Sequence, residues 1–391
     1  MDHVASFVTG MSTSTDIFDN EKYKFSKNLL NYYEYMKKND VFASYAVVPP
    51  QAARNPDFYQ KRNLPIPTLS VVSENDKGVV ISGMKMLATS AIFANEIWIG
   101  NLIPLAPDQV KQSITCAIPC NSNGLSLWMR QPLSNHYDNQ FDAPLSWNQD
   151  ETDVLVMCDK VLVPWERIFV KDDAIQAREI YFKTPAHCYG NHQSNVRYWS
   201  KMELIVGLCY KVAKATGADE VPAVRETLGK MSALESTLSG MIYGQIENAE
   251  NWPENFKTFN RRIMYAALNF CTDNYSMIID ELRTLCGGGV FQMPASIKVM
   301  KNKELLNDFE TYFQTPQMNA LDRMKLFKLA WDVVGSEFAG RQLQYEKFYA
   351  GASFIIRNHN FRETPWDHFE EVVDKVMSKY DVPIKHDKAA E

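Results

Sequence analysis

Four short stretches of this sequence carry side chains that could do chemistry. In the first, Val79, Val80 and Ile81 lead through Ser82-Gly83 and Met84 to Ala88 into the pair Thr89-Ser90, ahead of Glu96 to Gly100. β-Branched residues followed by Ser-Gly predict two short strands joined by a turn, with Glu96 to Gly100 as a third. The end of such a hairpin presents two hydroxyls on a rigid edge, where small side chains let a flat ligand come close. In the second, Gln51 and Arg54 follow Pro49-Pro50; the arginine is a planar cation matched to carboxylate, phosphate or carbonyl groups. The third, Gly190-Asn191-His192-Gln193, is predicted to precede a helix. His192 ordinarily titrates near neutrality and is suited to removing a proton or holding an anion; His136 and His187 are also expected in polar loops. The fourth runs from Trp331 to Gly351, with small residues at Gly335-Ser336 and Ala339-Gly340 among Glu337, Arg341, Glu346, Tyr345 and Tyr349. Small residues on a helix let a neighbouring backbone or a flat ring approach. Each stretch also has a plain reading: a hairpin with a polar end, a surface arginine, a loop histidine, a helix crossing.

The elements that must position these residues fall into three segments. Residues 1–40 are read as the remainder of a helical N-terminal domain, because Phe25, Leu29, Tyr32, Tyr33 and Met36 recur at helical spacing within 17–40. Residues 41–170 change to short apolar runs with turn signals between them, which predicts an antiparallel sheet or barrel. Within it, Val154 to Met157 and Lys160 to Val163 are expected to pair about Asp159. Residues 171–391 are read as a helical bundle, with helices over 196–215, 221–250, 256–285, 302–313 and 320–349. The fold class is therefore α+β with segregated layers.

Composition narrows the function. With 391 residues, 46% apolar and 23% charged, the chain can bury a large core. A net charge of −6 argues against nucleic acid as the main partner. No apolar run approaches the roughly 18 residues of a membrane span. Met1 to Asn20 lacks the basic start and apolar block of a secretion signal, so a cytoplasmic protein is expected. The seven cysteines are irregularly spaced with no C-x-x-C, which predicts reduced, mostly buried thiols and no metal site. G-x-G-x-x-G, the P-loop pattern and G-x-S-x-G are all absent.

The segment I-S-G-M-K-M-L-A-T-S at 81–90 resembles the sheet motif of the acyl-CoA dehydrogenase superfamily. Four stretches together resemble the 4-hydroxyphenylacetate 3-hydroxylase family of two-component flavin monooxygenases: 78–90; P-L-S-N-H at 132–136 with D-V-L-V-M-C-D-K-V-L-V-P-W-E-R at 153–167; G-N-H-Q-S-N-V-R at 190–197; and M-K-L-F-K-L-A-W-D-V-V-G-S-E-F-A-G-R at 324–341. The resemblance spans nearly the whole chain. It implies an acyl-CoA dehydrogenase-like fold with a truncated helical N-terminal part, a central antiparallel β-domain and a C-terminal helical bundle. It also implies a homotetramer that receives reduced FAD from a separate NAD(P)H flavin reductase, and that uses molecular oxygen to hydroxylate a phenol during aromatic catabolism.

Residue by residue, the resemblance puts Thr89 and Ser90 against the flavin ring, lines the flavin pocket with Gln51 and Arg54, and gives Arg341 to the flavin. His192 becomes the base or phenolate partner, and Tyr45 a substrate contact. Tyr45 stands where the hydroxyphenylacetate enzymes share a histidine; with I-T-C-A-I-P-C at 114–120 it leans toward the branch acting on chlorinated or nitrated phenols. Family members carry a further N-terminal stretch, with an arginine that contacts the phenol, so an active enzyme is expected if that stretch is not essential. The alternatives are an acyl-CoA dehydrogenase-like flavoenzyme using Glu337 as its carboxylate, or a catalytically incomplete flavin-binding fragment. A dehydratase branch uses an iron–sulfur cluster with a cysteine seven residues after the histidine; Trp199 stands there, which sets that reading aside.

Overall fold

The computed structural model describes residues 3–380; the outermost ends of the first and last expected segments lie outside the described residues. Eight strands form two four-stranded sheets. Their ranges are β1 Ala43–Ala46, β2 Ser70–Asn75, β3 Gly78–Lys85, β4 Glu96–Ile99, β5 Thr115–Pro119, β6 Leu125–Met129, β7 Val154–Pro164 and β8 Ile168–Val170. One sheet has the order β1-β4-β5-β8 and the other β2-β3-β7-β6. The second is antiparallel throughout, whereas β1 pairs with β4 in parallel.

Two expected turns are bulges instead. β3 runs unbroken through Ser82-Gly83, and β7 runs unbroken through Asp159-Lys160. The two irregularities face each other: Ile81 pairs with Val161, but Gly83 pairs with Cys158. The burial of β7 shows the slip, since Val154, Val156 and Cys158 are buried and the alternation resumes one residue late at Val161 and Val163. Gly83 sits at φ 115°, and a Cβ there would lie 2.0 Å from the Thr68 carbonyl oxygen. Lys160 takes φ 52° and donates its backbone N–H to Ser82 Oγ at 2.8 Å. Ser-Gly and Asp-Lys therefore absorb extra residues inside long strands.

The helices are α1 His3–Met11, α2 Ser26–Asn39, α3 Pro56–Gln60, α4 Pro144–Asn148, α5 Gln176–Phe182, α6 Ala186–Thr216, α7 Pro222–Glu247, α8 Arg261–Cys286, α9 Lys303–Phe313, α10 Ala320–Val334, α11 Glu337–Phe348, α12 Ser353–Glu363 and α13 Trp366–Met377. Three differ from the sequence reading. The first expected helix starts only at Ser26. α6 begins at Ala186, so His187 and His192 lie inside a helix rather than in loops. The expected helix over 320–349 is two helices, broken where the Trp331 ring occupies the space a Gly335 side chain would need, 2.2 Å from an ideal Cβ. Ser336 then caps α11, its Oγ accepting from the Ala339 N–H at 3.2 Å.

Apolar residues of α1 and α2 share one core with both sheets, including Val4, Phe7, Leu29, Ile97, Trp98 and Phe169. A second core lies among α6, α7, α8 and α10. Each fully buried Leu, Ile, Val or Phe contributes about 1.5–3 kcal/mol. Trp98 stacks on Phe169 with ring centroids 4.7 Å apart and donates its indole N–H to Tyr181 Oη at 2.9 Å, so its polar edge is satisfied.

Candidate active site

The chain leaving β3 is pinned into a corner at Thr89-Ser90. Leu87 and Ser90 both adopt left-handed backbone, at φ 67° and 63°, conformations that branched or bulky residues take only when the surroundings enforce them. Ser44 Oγ, from β1, donates to the Thr89 carbonyl at 2.6 Å. The Ser90 backbone N–H donates to the Glu151 carbonyl at 2.9 Å, and Ser90 Oγ to the same carbonyl at 3.1 Å. Thr89 Oγ1 donates to Asp153 Oδ1 at 2.8 Å.

Asp153 joins this corner to the helical bundle. Arg341, from α11, donates to it from Nε at 3.1 Å and from a terminal nitrogen at 2.7 Å, and its other terminal nitrogen bonds Glu151 at 2.9 Å. Arg130 adds a bond from Nε at 3.3 Å. Burial alone would raise the Asp153 pKa, but the bonds and charge of Arg341, with Thr89 and Arg130, outweigh it and hold the carboxyl below its ordinary value. Two residues read from sequence, Thr89 and Arg341, thus converge on a residue not singled out, Asp153, and a third, Ser90, is held beside them on the Glu151 carbonyl.

An exposed apolar surface flanks the corner. Trp128 on β6 pairs with Leu155 on β7, and both are exposed, Trp128 at 63%. Leu155 lies two residues beyond Asp153, which immediately precedes β7. Leu87 and Phe93, on either side of Thr89-Ser90, are exposed as well. Patches of this kind beside convergent polar groups mark ligand sites.

His192 lies elsewhere on α6. Its ring stacks on Phe259 at 3.6 Å, and its Nδ1 faces Gln245 Oε1 at 2.8 Å. A carbonyl oxygen at that distance accepts a hydrogen bond from Nδ1–H, which leaves a lone pair on Nε2. Burial lowers the His192 pKa, partly opposed by the Gln245 bond, so the ring is neutral at pH 7 and able to accept a proton.

Arg197, five residues on and roughly 140° around the helix, points into a buried ion cluster. It makes two bonds to Glu346 at 2.5 and 2.7 Å, and Lys201 bonds the same carboxylate. Tyr45 belongs to this side. It stacks on His3 with centroids 5.0 Å apart, and Tyr349 Oη lies 3.0 Å from His3 Nδ1. The structure therefore does not bring Tyr45 and His192 together.

Gln51 and Arg54 occupy an exposed 3-10 turn, Gln51–Arg54, next to α3, and no hydrogen bond or ion pair ties either to Thr89 or Arg341 among the described residues. Glu337 is 70% exposed and lies 3.4 Å from His136 Nε2. His187 is enclosed with Tyr265, Asn191 and His359. All seven cysteines are free and six are buried. Among the described residues no cluster of metal-binding side chains occurs and no helix is long and apolar enough to cross a membrane.

Residues 1–170 match the N-terminal profile of the 4-hydroxyphenylacetate 3-hydroxylases, and residues 177–378 match the C-terminal one. The chain belongs to the 4-hydroxyphenylacetate 3-hydroxylase family. Among its relatives, the 4-hydroxyphenylacetate 3-monooxygenase oxygenase component of Thermus thermophilus is 30% identical over 353 residues, covering 90% of this chain and 71% of the relative. The 4-nitrophenol 2-monooxygenase oxygenase component of a Rhodococcus species is 25% identical, covering 97% and 73%. The crystal structure of HpaB, the oxygenase component of 4-hydroxyphenylacetate 3-monooxygenase, with FAD and 4-hydroxyphenylacetate superposes with a TM-score of 0.88 at 27% identity, over 96% of this chain and 77% of that one. The family's acyl-CoA dehydrogenase-like fold is thus the fold of this chain.

Within this family fold, sequence reasoning missed Asp153, Trp128, Gln245 and the Arg197–Glu346–Lys201 cluster as site features. Two had readable signals. Trp128-Met129 places two large apolar residues side by side in a strand, so one of them must face outward. Arg197 and Lys201 are four apart on a helix, which puts both cations on one face, where a single anion can serve both.

Proposed function

We propose that this chain is the oxygenase component of a two-component phenol hydroxylase, with FAD docked at the Thr89 corner. The supporting observation is the convergence of Thr89 and Arg341 on Asp153, with Ser90 held on the neighbouring Glu151 carbonyl, beside the exposed Trp128–Leu155 surface. That donor set fits a flavin: a flat apolar body can rest on the apolar side chains while its polar edge meets the hydroxyls. When bound in its reduced form, FAD supplies the oxygen-activating chemistry. The chain's own residues bind and orient the ring, cover it from water and handle the phenolic proton.

In this reading His192 takes that proton at Nε2. Gln245 holds the ring in the tautomer that leaves Nε2 free, and Phe259 fixes its plane. Gln51 and Arg54 stand ready at the surface for the more polar parts of FAD. Tyr45 packs on His3, away from His192, and in this reading makes no contact with the phenol. The phenol is of the 4-hydroxyphenylacetate or the chloro- or nitrophenol type. A separate NAD(P)H flavin reductase supplies the reduced flavin, and seven free thiols suit the reducing cytoplasm. Glu337, at 70% exposure, lacks the enclosure an acyl-CoA dehydrogenase base needs, so nothing favours that reading.

The assembly is a homotetramer. Trp366, Phe369, Val373 and Met377 form an exposed apolar stripe on α13 at three- and four-residue steps, a face suited to a second copy of the chain. Light scattering should give four times the chain mass.

The activity test mixes the protein with FAD, NADH, a flavin reductase and a panel of phenols in air. A catechol or hydroquinone should form; hydrogen peroxide as the sole product across the panel contradicts the reading. His192→Asn should lower hydroxylation about 100-fold while FAD affinity changes little. Equal loss of both would remove the role given to His192.

A further inference from the structure

Where α5, α6, α8 and α12 meet, four rings stack beneath two arginines. Tyr265 and His359 are buried, with ring centroids 4.5 Å apart and planes 5° apart. His187 adjoins both, its ring 5.0 Å from His359 and its Nδ1 2.6 Å from Tyr265 Oη. Phe182 closes the stack, 4.6 Å from His187 and 5.5 Å from His359. The Arg178 guanidinium lies 4.6 Å from the Phe182 ring centroid, and Arg362 donates to His359 Nδ1 at 2.7 Å. An arginine only donates, so the His359 ring carries its proton on Nε2 and is neutral. The two guanidinium groups are the charges of this junction.

Nothing balances those charges. Neither arginine forms an ion pair among the described residues, and the acids beside them in sequence are engaged elsewhere. Glu179 pairs with Lys183 at 2.7 Å, and Glu363 with Arg261 at 3.7 Å. Arg178 Nε is shut off from water and has no hydrogen-bond partner among the described residues. A buried donor left in that state is costly. The Arg178 pKa is pressed down by burial and then by the Arg362 charge. That of His359 is lowered by burial, then by Arg362 and Arg178. No anion offsets either effect. An anion between the arginines would relieve their repulsion and satisfy the orphaned donor together.

We propose that Arg178 and Arg362 form a binding site for a small oxyanion of the phosphate class. Two guanidinium forks offer several N–H donors at once, which suits the multiple oxygens and the double charge of a phosphate. A carboxylate, with two oxygens and one charge, fills a single fork. The rings beneath hold the donors in place: Phe182 lies under the Arg178 guanidinium, and His359 anchors Arg362 through its acceptor nitrogen. Arg362 is exposed and Arg178 half-buried, so the site opens to solvent on the Arg362 side. The same forks accept a free phosphate ion or the phosphate of a monoester. The site shares no residue with the Thr89 corner and does not depend on where the flavin binds.

The test titrates the full chain with inorganic phosphate in a calorimeter at constant ionic strength, then with acetate and with AMP. Phosphate should bind saturably with a Kd of about 1 mM. Arg178→Met and Arg362→Gln should each weaken it about tenfold, and acetate should bind the unaltered chain about tenfold more weakly than phosphate. Tighter binding of AMP than of phosphate identifies a carried phosphate as the natural form; equal or weaker binding identifies the free ion. Either result supports the site. A second readout separates a ligand site from a structural arginine. In phosphate-free buffer the urea midpoint of Arg178→Met should match or exceed that of the unaltered chain, because the substitution removes a repelled charge and an orphaned donor. A lower midpoint assigns Arg178 to the fold and overturns the proposal. So does the absence of saturable phosphate binding, acetate binding as tight as phosphate, or unchanged phosphate affinity in Arg362→Gln. A chain that binds phosphate but not FAD leaves this site standing and overturns the proposed function alone.

Discussion

Tyr345 separates two arginines that are held in contrasting ways. Arg341 lies with its guanidinium 4.5 Å from the ring centroid, and Arg197 lies 4.9 Å from it. Arg197 is sealed: its side chain is 8% exposed, its partner Glu346 2%, and the remaining charge on that carboxylate is met by Lys201. Burial works against the Glu346 charge, but Arg197 and Lys201 outweigh it and bring the pKa down to about 2. Arg341 pairs instead with Asp153 and Glu151, which are 21% and 31% exposed, and Asp153 also holds a hydroxyl beside the open apolar patch. The same ion-pair chemistry thus does two jobs. In the sealed cluster every group serves cohesion, whereas at the corner one carboxylate also holds the Thr89 hydroxyl, the side chain proposed to meet the flavin.

The contrast breaks most visibly at Glu346. Glu346→Leu strands two cations in the interior and should cost about 3–5 kcal/mol, read from urea denaturation. Arg197→Met added to it should restore part of that loss, because two apolar residues can replace a buried pair. If Glu346→Leu is as stable as the unaltered chain, the sealed cluster is not structural. Arg341→Met should cost less, about 1–3 kcal/mol, because Arg130 still faces Asp153, yet it should weaken FAD binding, which Glu346→Leu should change little in molecules that remain folded. Matching effects of the two variants on FAD would erase the distinction.

The smallest effect is on acid stability. Burial lowers the pKa of His3 and of His359 to about 4, with the nearby Arg197 adding to it for His3 and Arg362 for His359. Each is neutral when folded and gains a proton near 6.5 when unfolded, so the unfolded chain binds more protons between about 4 and 6.5. Stability should be full above that window and decline as pH falls through it. The Glu346 contribution is lost later, between about 4.5 and 2. Urea midpoints measured from about pH 7 to about pH 4 should fall progressively, and a flat profile would show that these histidines are not buried neutral.

Much of the fold was legible because periodicity is local. The β-runs at 79–81 and 154–163 and the helical stripes of α7 and α8 lie close to where the spacing put them. Three of the misreadings share one cause. Ser82-Gly83, Asp159-Lys160 and Gly335-Ser336 are all small or polar pairs that interrupt a pattern, and sequence alone does not say whether an interruption is a turn, a bulge or a helix break. The partner across the sheet decides the first two, and the Trp331 ring decides the third. At the site, Thr89, Ser90 and Arg341 were readable from residue type and family resemblance, but Asp153 was not. It is one carboxylate in an acidic run with Asp150 and Glu151, and only the distant approach of α11 singles it out. His192 was readable only as a candidate base, and its separation from Tyr45 follows from α6 starting six residues before it.

The central claim is that the Thr89 corner is where reduced FAD meets this chain. Anaerobic titration of reduced FAD into the unaltered protein and into Thr89→Val tests it most directly. The account predicts saturable binding to the unaltered chain, weakened about tenfold by the substitution with the fold intact. Equal affinity of the two proteins for reduced FAD would contradict it.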